Sequence, residues 1–410
     1  MKLGFLTKDL AISSKRFLAV TFLISGTLAW FFLLNAYLGD ILTSITQDSF
    51  LVAFGQFLFY AFGVISAIAG SLICRKINRR KMLSLWIAFG AISTVLLSIF
   101  QGTIFSLISS ILLGLSLGLG LPSSMAFLAE STVVAERGRV AGITILGTFV
   151  MAFLAGAVIT FLGSGIVTAI ILCTIVRSTS VLALVFDKCD RKEEKEHFWL
   201  SKPNYKELIF YLLPWIMFIV AAGFASNMID VPGTEYLSAI STGQVLRYAT
   251  IALFSIVWGV TADRIGRKQP IIIGLIILGS SFALLGFAMV PLSVLIYLAM
   301  SGIAWGSFFT IYLIIPGDLS IPSSREKFYA LGTISPFIIF MGLSISPISS
   351  IFTIISVSAF SQILSLLLFL SIAPVSRAKE TLLEFQKYER KMKEHVNKVS
   401  KIIQESEKSE

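Results

Sequence analysis

Long stretches of Leu, Ile, Val, Ala and Phe alternate along this chain with short polar turns. Most of them reach about 20 residues, the length an α-helix needs to cross roughly 30 Å of hydrocarbon. Twelve such stretches are predicted, near residues 17–38, 50–73, 82–100, 104–129, 140–162, 165–186, 207–229, 240–262, 270–289, 291–315, 328–347 and 353–374. The predicted fold class is an all-α membrane protein with twelve transmembrane helices. After Pro374 the pattern changes: Leu382, Phe385, Tyr388, Met392, Val396, Val399 and Ile403 recur at spacings of three and four among charges of both signs. That spacing predicts an amphipathic helix, suited to lying on a membrane surface or to weak association with another chain.

Composition narrows the class further. The 410 residues are 56% hydrophobic and 14% charged, against about 25% charged in soluble domains, which excludes a water-soluble fold. A net charge of +10 would suggest nucleic acid in a soluble protein. Here the bases sit in alternate loops, at Arg75 to Lys81, Arg137 and Arg139, Lys188 to Lys206, Arg264 to Lys268, and Arg325 and Lys327, whereas the opposite loops hold Asp40, Asp48, Asp230 and Glu235. By the positive-inside rule both termini are cytoplasmic, which requires an even number of spans, and the expectation is a multi-pass protein of the plasma membrane with no nucleic-acid partner. The first apolar stretch follows a basic start without a small-residue cleavage site and is read as retained. Cys74, Cys173 and Cys189 form no disulfide framework and no metal-ligand spacing.

The longest polar loop, residues 187–206, divides the spans six and six. The expected units are an N-terminal six-helix bundle over 1–186, a cytoplasmic linker over 187–206, a C-terminal bundle over 207–374, and a cytoplasmic tail helix over 375–410. A constant offset of 188 residues relates the halves: Glu130 matches Asp318, Arg137 matches Arg325, Gly114 matches Gly302, Gly118 matches Gly306, and Arg79-Arg80 match Arg267-Lys268. Glycine matches alone arise by chance in membrane helices. Matched acid and base at one offset predict duplicated, parallel halves.

The hairpin between spans eight and nine reads Gly259-Val-Thr-Ala-Asp263-Arg264-Ile-Gly266-Arg267-Lys268. An ordinary cytoplasmic turn accounts for its bases only. With glycine, acid, base, glycine and two bases in order, it resembles the signature of the major facilitator superfamily. The resemblance implies two six-helix bundles that rock about a central site, with the acid latching one helix end onto another when the cytoplasmic side is closed. A carboxylate at a helix C-terminus is unfavourable beside the negative end of the dipole, so Asp263 requires a partner, for which the N-terminus of span eleven and the neighbouring Arg264 and Arg267 are candidates. The first-half counterpart keeps Arg79 and Arg80 but has Ser71, Arg75 and Asn78 where the pattern has glycine, acid and glycine. Arg75 cannot serve as the carboxylate, which leaves Glu130 or Glu136 to supply the charge, and makes Asp263 the more important latch.

Glu130 precedes Arg137-Gly138 by seven residues, and Asp318 precedes Arg325 by the same interval. This spacing resembles that of sugar and organic-acid porters of the superfamily, where it forms a cytoplasmic charge network with the hairpin bases. The alternative is a pair of exposed salt bridges contributing under about 1 kcal/mol each. Span four lacks the arginine of an RxxxG pattern and span five lacks the Gly-Pro pattern of drug antiporters, so multidrug efflux is disfavoured.

A charge at mid-bilayer costs roughly 2.5–3.5 kcal/mol or more, so intramembrane ionisable residues are functional candidates. Arg247, beside Gln244 and Tyr248 on span eight, is the better candidate for substrate, with snorkelling to the headgroups as its alternative. Arg177 lies deeper but on the peripheral span six. Asn35, Gln56, Tyr60, Trp215, Asn227, Trp305 and Tyr312 complete the polar and aromatic candidates on cavity-type spans. No Asp or Glu lies mid-span, Asp40 being near the outer end of span one, and His197 and His395 fall in polar segments. A cationic cavity without a carboxylate fits a facilitator or exchanger of a small solute such as an organic anion or metabolite. The alternatives are a proton-coupled sugar or metabolite symporter and a non-transporting substrate sensor with the same fold. No nucleotide loop, metal cluster or nucleophile constellation is present, so neither an enzyme nor a cofactor is expected. The chain is expected to work as a monomer.

Overall fold

Helix α1 (Ser14–Ile45) begins after Ser13, whose side chain accepts from the Arg16 N–H, and α2 (Ser49–Ile73) begins after Asp48, whose carboxylate accepts from the Phe50 N–H at 2.9 Å. There follow α3 (Arg79–Ile99), α4 (Thr103–Ser131), α5 (Arg137–Phe161), α6 (Ile166–Phe186), α7 (Tyr205–Ile229), α8 (Leu237–Arg264), α9 (Lys268–Phe287), α10 (Pro291–Asp318), α11 (Arg325–Ile345), α12 (Val357–Leu370) and α13 (Thr381–Glu407). The computed structural model describes residues 10–74, 76–99, 102–162, 165–189, 202–229, 237–287, 290–346 and 356–407. Arg75, Asp230, Glu235, His197 and most of the expected linker lie outside them, as does the side chain of Asn227. Among the described residues, twelve helices are long and apolar enough to cross a membrane.

The helix ends depart from the apolar stretches where charges are satisfied. Span ten was expected to stop near residue 315, yet α10 turns once more, through Pro316, to end on Asp318. A carboxylate fits inside a buried helix end because the guanidinium groups of Arg137, on α5, and Arg267, in the turn between α8 and α9, neutralise it. The peripheral face carries large apolar side chains in the open, among them Leu85, Ile104, Leu253 and Leu366. Such a surface belongs in hydrocarbon.

Packing repeats between the halves. In α1–α6, α2 packs on α4, α1 on α5 and α3 on α6; in α7–α12, α8 packs on α10, α7 on α11 and α9 on α12. The halves meet through α5 against α8 and α2 against α11. Adding six to each helix number converts one set into the other, the three-dimensional counterpart of the 188-residue offset.

The α5/α8 contact is made backbone to backbone at Gly138 and Gly259, where a Cβ on either glycine would run into the other's carbonyl oxygen. After α12, a short helix (Ile372–Arg377) leads into α13, which begins held by side chains from α7. The Glu207 carboxylate accepts from the Lys379 N–H at 2.7 Å, and the Tyr211 hydroxyl donates to the Lys379 carbonyl at 2.9 Å. Leu382 is buried, but Met392, Val396, Val399 and Ile403 are exposed along one side of α13.

Candidate functional site

At the end of the bundle where α5 and α11 begin, acids and bases of both halves form one buried cluster. Asp263, in the last turn of α8, accepts from the backbone N–H groups of Gly138 and Arg139, each at 2.8 Å, and lies 3.4 Å from the Arg139 guanidinium and 3.2 Å from that of Arg267. Of the candidate partners, Arg267 is in place, whereas the start of span eleven is not the helix end used. The structure instead uses the start of α5, because the glycine pair Gly138/Gly259 lets those two helices touch.

Glu130 and Arg137, although seven residues apart, do not pair with each other; each reaches a partner in the other half. Arg137 pairs with Asp318 of α10 and donates to the carbonyls of Ala129 at 2.7 Å and Thr132 at 3.0 Å. Asp318 also receives Arg267 Nε at 2.9 Å and the Thr381 hydroxyl at 3.2 Å. The first half mirrors this arrangement. Glu130 pairs with Arg79, at 2.7 Å from Nη2, and stands 3.9 Å from Arg325 of α11; Arg79 reaches across to Glu326 at 3.5 Å. Arg79, Arg267, Arg325 and Asp318 are all but inaccessible to water, so these are not exposed loop salt bridges. Removing one member of such a buried pair costs about 3–5 kcal/mol.

Complete burial lowers the pKa of the Arg267 guanidinium, but Asp318 and Asp263 outweigh it and hold the group above its ordinary value. Arg267 also donates to the Val134 carbonyl of the other half at 2.5 Å. Its own N–H and that of Lys268 are capped by Glu380 at 2.7 and 3.0 Å, through a turn in which Gly266 has φ +125°, a conformation that favours glycine. Arg264 and Arg80 stay outside the cluster: Arg264 is exposed, and Arg80, also exposed, donates to the Leu184 carbonyl at 3.4 Å. Lys268 Nζ donates to the Ser376 and Ala378 carbonyls, both at 2.7 Å. Glu326, Glu380, Thr381 and Glu207 were not foreseen. Glu326 was detectable as the residue 188 positions after Gly138, an acid where its mate has no side chain.

Between the halves lies a cavity of about 450 Å³, within the size range of small-molecule sites. Helices α1, α4, α5, α7, α8, α10 and α11 all line it. Its walls are joined across the halves by rings: Phe32 of α1 and Phe149 of α5 stand 5.2 and 5.7 Å from Phe309 of α10, which is 4.7 Å from Trp305. Arg247, Gln244, Tyr248 and Asn35 line it, with Arg247 5.8 Å from the Trp305 ring centroid. A second, more polar cavity of about 390 Å³ shares Asn35, Gly223 and Phe340 with the first and adds Gln56, Tyr60 and Ser344. The Tyr60 hydroxyl donates to Asn35.

Arg177, a candidate substrate ligand from its depth, lines neither cavity. It is fully buried inside the first half, where Nη1 donates to Thr27 at 2.6 Å and Nη2 to the Trp86 carbonyl at 3.3 Å. Its guanidinium lies 4.1 Å from the Trp86 ring centroid and 5.2 Å from that of Trp30. Aromatic faces and carbonyls stand in for a counter-ion, so Arg177 ties α6 to α1 and α3. Among the described residues no group of His, Cys, Asp and Glu could hold a metal ion.

No protein-family model matches the chain and no curated protein does. Solved structures do. The chain is similar to the human organic anion transporter MFSD10 (TETRAN), with 14% identity, a TM-score of 0.65, and coverage of 88% of this chain and 99% of that one. It is also similar to the proton:xylose symporter XylE of the major facilitator superfamily bound to 6-bromo-6-deoxy-D-glucose, with 15% identity, a TM-score of 0.68, and coverage of 90% and 96%. At these identities the likeness establishes the fold, which is that of the major facilitator superfamily.

Proposed function

We propose that the chain is a secondary transporter that carries a small solute across the plasma membrane by alternating access, the two halves rocking about the central cavity. The observation that carries this reading is the Asp263 clamp on Gly138 and Arg139, because it joins the two halves through a carboxylate that rocking would have to release. The distribution of bases puts this charged end in the cytoplasm together with both termini. The described state is then the one closed to the cytoplasm, and the cavity is the solute site.

The solute class is an organic anion or a related metabolite. Arg247 lines the cavity, and among the described lining residues there is no carboxylate. That favours facilitation or exchange over proton coupling of the kind the xylose symporter's name states. Uptake into proteoliposomes tests the reading. Saturable flux that persists without a pH gradient is expected; binding without any flux would indicate a sensor, and flux that collapses with a protonophore would indicate a symporter.

A further inference from the structure

The cavity offers its polarity in a restricted way. Three of its lining side chains that carry donors spend them on backbone: Trp215 Nε1 donates to the Gly332 carbonyl at 3.1 Å, the Tyr329 hydroxyl to the Leu313 carbonyl at 3.0 Å, and the Tyr312 hydroxyl to the Tyr211 carbonyl. Thr333 is likewise engaged with the Tyr329 carbonyl at 2.5 Å. These groups present apolar faces to the cavity.

The other polar side chains lining it are Gln244, Arg247 and Tyr248 on α8, the Trp305 indole on α10, and Asn35 on α1, whose carbonyl oxygen accepts from Tyr60. The α8 positions 244, 247 and 248 share a helix face with Ile251, which also lines the cavity. Arg247 Nε is buried without a hydrogen-bond partner, and the face of Trp305 compensates the charge only in part. A half-buried guanidinium with an unpartnered Nε beside aromatic rings is an arrangement that one negative charge would complete.

We infer that the cavity selects an amphipathic organic monoanion, whose single carboxylate or equivalent charge is held by Arg247 and whose planar apolar body packs against Phe32, Phe149 and Phe309. Two alternatives fit the same lining less well. A sugar brings a hydroxyl on nearly every carbon, and each one turned toward the rings of Phe32, Phe149 and Phe309 and left without a partner costs about 1–3 kcal/mol. A dianion would leave a second negative charge facing rings and aliphatic carbons. This inference rests on the transport reading only for the statement that the cavity is the solute site.

Isothermal titration of the full chain in lipid nanodiscs with 2-naphthoate, the neutral 2-naphthamide and D-glucose tests it. We expect 2-naphthoate to bind at least tenfold more tightly than 2-naphthamide, and D-glucose not to bind. Arg247→Gln should abolish the preference, with a thermal unfolding midpoint close to that of the unaltered chain showing that the variant is folded; Phe309→Ala should weaken both naphthyl ligands alike. Equal affinity for acid and amide, a preference that survives Arg247→Gln, or tighter binding of D-glucose would overturn the inference. D-glucose flux without 2-naphthoate binding would sink this inference and leave the transport reading standing. Arg247-dependent 2-naphthoate binding without flux of any solute would do the reverse.

Discussion

Asp263 at the end of α8 places its two carboxylate oxygens on the backbone N–H groups of Gly138 and Arg139 at the start of α5, each at 2.8 Å. A carboxylate is misplaced at a helix C-terminus and well placed at an N-terminus. One side chain therefore turns an unfavourable position in its own half into a favourable contact with the other half.

Asp263→Asn keeps the shape but removes the charge and sets an amide N–H₂ against a backbone donor. Hydrogen bonds to charged groups contribute about 1.5–3 kcal/mol, so the closed state should lose roughly ten- to a hundredfold in population. Amide hydrogen exchange at Gly138 and Arg139 should accelerate accordingly, and solute flux should fall.

Gly138→Ala acts on the same contact through shape. The added Cβ would collide with the Gly259 carbonyl and the Asp263 carboxylate, so α5 and α8 must part. Flux should fall as far as in Asp263→Asn. Gly156→Ala on the same helix, where a Cβ would meet nothing within 4 Å, should be silent in the same assay.

The two quasi-equivalent acids should differ in weight. Asp318 is fully buried between Arg137 and Arg267, whereas Glu130 is 11% exposed and 3.9 Å from Arg325. Asp318→Asn should destabilise by about 3–5 kcal/mol and Glu130→Gln by less. A double-mutant cycle on thermal stability should give a larger coupling for Arg137 with Asp318 than for Arg325 with Glu130.

The start of the tail belongs to the cluster and the rest does not. Truncation after residue 383 keeps Glu380 on the Arg267 and Lys268 N–H groups and Thr381 on Asp318. It should preserve flux, whereas truncation after residue 378 should lower both flux and thermal stability.

Much of this was legible in the sequence, because spans of fixed length and a constant offset are one-dimensional signals. The hairpin from Gly259 to Lys268 and the 188-residue register named most of the cluster in advance. The pairing across the halves was not legible. The spacing pointed Glu130 and Asp318 toward the hairpin bases, but only the packing of α5 on α8 and α2 on α11 brings Arg137 to Asp318 and Arg325 toward Glu130. Helices that are apolar all round also conceal which face looks inward, so Arg177 stayed a secondary substrate candidate by its depth although it ties helices together, whereas Arg247, the better candidate, lines the cavity. Glu380 sits outside the repeat altogether, so no register pointed to it.

The central claim is that the halves exchange closure between the two ends. Paired spin-label distances in a background free of Cys74, Cys173 and Cys189 test it most directly, with one pair at Lys81 and Lys327 on the charged end and another at Thr43 and Ser241 on the opposite end, all four exposed. Introducing Asp263→Asn should lengthen the first distance while shortening the second. Both distances lengthening together, or neither changing while Gly138 exchanges faster, would contradict alternating access.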